Sequence, residues 1–136
     1  MAQVSKSHRV VACTTCRHTG EICQPGLTLI AQLNAAIAAA GPTLEQSFEV
    51  SGTTCMAGCN RPCTVAFSAS AKASYLFGDI GTEADIDSLT EFARFYADRA
   101  DGMSRMAERP ARLRHKLMAR IPASLVVTEA AESLLQ

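Results

Sequence analysis

Six cysteines stand in two groups: C-x2-C at Cys13 and Cys16 with Cys23 behind it, then C-x3-C-x3-C at Cys55, Cys59 and Cys63. Groups so far apart in the chain can serve one centre only if folding carries both to one place. That requirement constrains this chain more than any other feature.

The length of 136 residues suits one domain with a single core and a tail. We divide it into a domain over 1–102 that holds both cysteine groups and a basic amphipathic tail over 103–136, packed on the domain or extending from it. Lys plus Arg and Asp plus Glu each number 13, so no global field favours nucleic acid or an anionic membrane. The N-terminal MAQVSKSHRV lacks the apolar run of a secretory signal, and no stretch approaches the ~18 apolar residues of a membrane span. A cytoplasmic location is the expectation. In that reducing compartment clustered thiols serve metal binding or redox chemistry more often than disulfides.

His8 to Ala12 reads as a short strand delivering Cys13 and Cys16 at its end. From Pro25 onward Leu27, Ile30, Leu33 and Ile37 recur at helical spacing, and Gly41-Pro42 closes the segment. Leu44 to Ser51 alternates as a second strand and runs into the second cysteine group. Thr64 to Ala69 and Ser74 to Phe77 read as a hairpin. A helix follows, with Thr82 as N-cap and Ile86, Leu89, Ala93 and Tyr96 as its apolar stripe. In the tail, Leu113, Leu117 and Ile121 lie four apart among arginines, which predicts an amphipathic basic helix.

This order predicts an α/β fold, one mixed sheet with helices packed on it. The first two strands run parallel through a right-handed crossover. Parallel neighbours put their exits side by side, so the two cysteine loops would converge at the carboxyl edge of the sheet. A 2Fe-2S cluster needs four thiolates, and one pair from each loop meets that count. Gly52 and Gly58 would let backbone approach such a cluster. Zinc needs the same four ligands and is the first alternative, giving a structural binding module. A dithiol oxidoreductase using Cys13 and Cys16 is the second. His8, His18 and His115 have no histidine partner at useful spacing and read as ordinary polar residues, and Met56 reads as loop packing. No phosphate loop or activated nucleophile is present, so we expect no catalytic residue.

The chain resembles thioredoxin-like 2Fe-2S ferredoxins, through CMAGC followed by a proline, a strand pair and a helix. More closely, VACTTCR, CMAGCNRPCTVAFSA, YLFGDI, FARFYADRADGM and ERPARLRHKLMARIPA resemble a family of small bacterial predicted metal-binding proteins, over about residues 8–123. The resemblance implies a thioredoxin-like fold of order β-α-β-β-β-α with four strands. It further implies a 2Fe-2S cluster on Cys13, Cys16, Cys55 and Cys59, with Cys23 and Cys63 as alternate ligands. Electron transfer to a redox partner protein, an association with cobalamin biosynthesis and a homodimer belong to the same set of expectations.

Overall fold

The computed structural model describes residues 7–14, 24–53 and 63–123. Within them a five-stranded sheet has the order β2-β1-β3-β4-β5, formed by β1 (His8–Cys13), β2 (Phe48–Thr53), β3 (Val65–Ala69), β4 (Ser74–Phe77) and β5 (Leu117–Ile121). Strands β1 and β2 pair in parallel from His8 opposite Phe48 to Cys13 opposite Thr53, as the sequence predicts. The hairpin of β3 and β4 then lies antiparallel on the other flank of β1.

The helices α1 (Gln24–Ala39), α2 (Pro42–Ser47) and α3 (Ile86–Asp98) all pack on one face. Register explains which residues meet them. Side chains alternate along a strand, so Val10, Ala12, Phe48, Val65, Phe67, Tyr75 and Phe77 share the covered face, and all are buried. Leu29, Leu33 and Ile37 of α1 cover β1 and β2. The buried stripe thus starts at Leu29, and Leu27, which the helical spacing placed on it, is 43% exposed.

Phe92 of α3 is the hub of the other half of the core. Its ring meets Phe67 at 5.0 Å, Tyr75 at 4.9 Å and Phe77 at 5.3 Å between centroids, all edge-on. Such edge-to-face pairs each add about 0.5–1.5 kcal/mol beyond the area they bury. The expected stripe of Ile86, Leu89, Ala93 and Tyr96 is buried beside it.

Three elements differ from the sequence reading. Residues 44–47, read as the start of the second strand, belong to α2, because Pro42 suits the first turn of a helix and the strand begins only at Phe48. The helix expected to begin after Thr82 begins at Ile86, since residues 82–85 form a turn in which Glu83 takes a positive φ of 66°. The basic segment is not a helix. Two 3-10 turns, Met106–Glu108 and Ala111–Leu113, lead into β5, which pairs antiparallel with β4. Four-residue spacing put Leu113, Leu117 and Ile121 on one helical side, but the open edge of β4 offers hydrogen bonds to an extended chain. Sheet and helices therefore include residues on both sides of position 102.

Two buried polar contacts fasten this late segment. The Tyr75 hydroxyl donates to the Gly102 carbonyl at 2.5 Å and lies 2.9 Å from the Ser104 hydroxyl, which the buried Arg109 also bonds. Gly102 has a φ of +67°, and a Cβ there would lie 2.7 Å from the Tyr96 ring, so only glycine fits. The second fastening is Asp85, fully buried just before α3. Its carboxylate accepts from the Gly81 N–H at 2.7 Å, Arg112 Nε at 2.8 Å and Lys116 Nζ at 2.5 Å. Burial pushes the Asp85 carboxyl up, but the bonds from Lys116, Gly81 and Arg112 outweigh it and hold the carboxyl below its ordinary value. Lys116 Nζ also reaches the Asp79 carbonyl at 2.8 Å, tying β5 to the exit of β4.

Asp85→Asn leaves Arg112 and Lys116 without their shared counter-charge and should cost about 2 kcal/mol at neutral pH, read as a lower urea midpoint. A depressed carboxyl contributes stability above its unfolded pKa and loses it as pH falls through the folded value. The wild-type advantage over the variant should accordingly shrink below about pH 4.

Candidate metal centre

Cys13 is the last residue of β1 and half-buried. Its N–H donates to the Thr64 carbonyl at 3.2 Å, which fixes the start of β3 beside it. On its other flank, Thr14 N–H and the Thr14 hydroxyl both donate to the Thr53 carbonyl, at 2.8 and 3.0 Å. One short stretch thus binds the exit of β2 and the start of β3 at once.

Cys63 precedes that start. It is partly buried against the hydrophobic core, and its carbonyl accepts from the Ile80 N–H at 3.1 Å. The exit of β4 therefore closes on the same edge, held in turn by Asp85 through Lys116 and the Asp79 carbonyl. Cys16, Cys23, Cys55 and Cys59 lie outside the described residues, as do His18, Gly58 and Met56. Among the described residues no three Cys, His, Asp or Glu side chains gather as a metal site.

Gly52 explains how the edge closes. A Cβ there would run into Thr14 Cγ2 and lie 2.9 Å from Ile30 Cδ1 of α1. The glycine lets α1 sit down on the exits of β1 and β2, and its service in the described structure is this close approach.

The sequence-predicted site residues thus divide. The structure brings Cys13 and Cys63 to one edge, together with the anchor residues of both cysteine loops. His8 sits at the opposite end of β1. Its Nε2 lies 2.7 Å from Lys72 Nζ, which also donates to the Tyr96 and Ala97 carbonyls at 2.7 and 3.1 Å. Three bonds use all three ammonium protons, so the imidazole accepts at Nε2 and is neutral, with Nδ1 donating to the Ser7 hydroxyl at 2.7 Å. Burial and the Lys72 charge both push the imidazole down. Burial also pushes the Tyr96 hydroxyl up to about 12, and that hydroxyl donates to the Ala73 carbonyl at 2.6 Å. Sequence reading missed the Asp85, Arg112 and Lys116 group, and the four-residue spacing of its two cations was the one available signal.

Comparison with known proteins now bears on this edge. A family model described as "Protein of unknown function (DUF1636)" matches residues 10–123. The chain belongs to that family. No curated protein matches it. Among solved structures, the family member is similar to a thioredoxin-like [2Fe-2S] ferredoxin from Aquifex aeolicus, with a TM-score of 0.58 at 16% identity, covering 90% of this chain and 100% of that one. A crystal structure of the wild-type form of such a ferredoxin from the same organism gives 0.54 at 17% identity, covering 85% and 99%. The thioredoxin-like fold is thereby shown for this DUF1636 member, with β5 as a fifth strand. No helix among the described residues is long and apolar enough to cross a membrane.

Gly52→Ala should destabilise the protein by about 1–3 kcal/mol, since Thr14 or Ile30 must move, and a lowered thermal midpoint would show it. For His8 the sign follows from a folded pKa below the unfolded one. As pH falls below about 6.5 the unfolded chain takes the proton first, so stability drops. His8→Gln, which keeps an acceptor for Lys72, should flatten that part of the stability profile in urea titrations from pH 8 to about 5.

Proposed function

We propose that this chain holds a 2Fe-2S cluster on Cys13, Cys16, Cys55 and Cys59 and works as a small one-electron carrier or metallocofactor accessory protein. One observation carries the proposal. Strands β2 and β3 flank β1, so the 54–62 connection is anchored on both sides of Cys13, by Thr53 and by Thr64. Cys55 and Cys59 lie in sequence between those anchors, and Cys16 follows Cys13 by three positions.

The donor set fits the cluster. Thiolates are its ordinary ligands, two per iron, and the two loops supply two cysteines each. When bound, the cluster supplies reversible one-electron chemistry. The protein's part is to bring two loops together and hold them with backbone bonds at Cys13, Thr14 and Cys63. The core packing of Cys63 supports its reading as a structural thiol, with Cys63 and Cys23 in reserve as alternate ligands. The solved neighbours named as 2Fe-2S ferredoxins support the same reading through their fold. Delivery of the electron to a protein partner, in the cytoplasm and in cobalamin biosynthesis, is the setting we propose from the sequence resemblance.

Anaerobic purification should yield a coloured protein with iron and acid-labile sulfide in equal amounts, bleached on reduction. Serine at Cys13, Cys16, Cys55 or Cys59 should lower cluster content severalfold, whereas Cys63→Ser should retain it. A colourless protein with stoichiometric zinc would sink the electron-carrier reading. Loss of cluster on changing Cys23 but not Cys16 would reassign the second ligand.

A further inference from the structure

Three guanidinium groups around the 3-10 turns have an acid: Arg112 pairs with Asp85, and Arg99 and Arg105 share Glu108. Arg109 and Arg120 have no carboxylate within bonding distance among the described residues. Yet Arg109 is only 6% exposed. Arginine is rarely buried without a partner for its charge, because taking a lone cation out of water is costly.

The donors of Arg109 are spent unevenly. Its Nη1 donates to the Ser104 carbonyl at 3.0 Å and to the Ser104 hydroxyl at 2.9 Å, which uses both Nη1 hydrogens. Nε is closed off from water with no acceptor, and Nη2 bonds no described residue. Holding Ser104 in place would need Nη1 alone. Nε and Nη2 make one edge of the planar fork, an edge that takes two oxygens of an oxyanion together. Arg120 Nη1 reaches the same Ser104 carbonyl at 3.0 Å, so the two Nη1 atoms stand at most about 6 Å apart. Like charges so close call for an anion beside them.

We propose that Arg109 and Arg120, positioned by Ser104, form a binding site for a phosphate group, free or carried as a monoester. Such a group brings a charge of about −1.5 to −2 at neutral pH and three acceptor oxygens, which matches two guanidinium groups. A carboxylate brings one charge, and chloride cannot fill a two-donor edge. Arg120 is exposed and opens the site to solvent. Behind Ser104 the Tyr75 hydroxyl, bonded to Gly102 and Ser104, keeps the site rigid. Arg114 adds a third positive charge, its Nε on the Arg109 carbonyl and its Nη2 on that of Ala107. Arg120 lies opposite Tyr75 near the start of β4, whereas the cysteine edge is at the other end of that strand, where Phe77 pairs with Val65.

The test uses the full chain in phosphate-free buffer. Arginine Nε–H resonances are followed by NMR in separate titrations with inorganic phosphate, phenyl phosphate, acetate and sodium chloride at matched ionic strength. We expect a saturable shift of the Arg109 Nε–H with phosphate or its monoester, the tighter of the two identifying the source, and a raised thermal midpoint. Arg120→Gln should weaken that binding about tenfold while the β4 and β5 amides keep their protection against exchange. Arg109→Lys keeps the charge but loses the two-donor edge and should weaken it likewise. Equal responses to acetate or chloride, no saturable response to either phosphate, or full-strength binding by Arg120→Gln overturns the proposal. None of these readings depends on what the cysteines hold.

Discussion

The structure depends on the central position of β1. Because β2 pairs with it in parallel and β3 pairs with it antiparallel, three chain segments share one edge, and that edge is where both cysteine groups begin or end. The bonding at Cys13 and Thr14 is ordinary backbone pairing carried just past the last strand residue. A register slip of one residue would exchange the two faces of β1, placing Val11 and Cys13 against α1 and α3 and Val10 and Ala12 on the other face. Core packing and thiol placement are therefore set by one register, and a sequence that buries its apolar residues correctly also presents its sulfurs correctly.

Around that edge the molecule divides its work between apolar and polar contacts. Phe92 and the rings about it hold the sheet to α3 without directional demands beyond ring geometry. Asp85 does the directional part: a buried carboxylate with three donors from Gly81, Arg112 and Lys116 specifies where the late segment lands. Removing the carboxylate would leave Arg112 and Lys116 side by side with no counter-charge between them, so the arrangement serves position as well as stability. Lys116 also bonds the Asp79 carbonyl, one residue before the Ile80 that bonds Cys63, so a carboxylate remote from the sulfurs in sequence holds their edge in place.

Much of this was legible in the sequence, for reasons that can be named. Alternation in Phe48 to Ser51, β-branched runs at 64–69 and a helical period in 86–96 are local signals, and each produced the element it announced, to within a few residues. The convergence of β1 and β2 followed from chain order and crossover handedness. What local reading missed was decided at a distance. The stretch from Leu113 to Ile121 has helical spacing, yet the unpaired edge of β4 lies nearly forty residues upstream and supplies hydrogen bonds that periodicity alone does not reveal. Asp85 carries no local sign of its role, and its partners Arg112 and Lys116 are identifiable only once the chain has returned. Of the candidate site the sequence showed the spacing of the cysteines, whereas the packing of Cys63 against the core needed the fold.

The strand order also has a consequence in time. The sheet from β2 to β4, with α1 and α3 upon it, is complete in sequence by Asp98, but β5 is the last strand to leave the ribosome and must find an edge formed long before. Its pairing closes a loop of some forty residues, an entropic cost that grows only slowly with length but delays contact. Strands β1, β2 and β3 can thus pair at the edge that bears Cys13 and Cys63 while the polypeptide is still being made, before Lys116 arrives to fasten it.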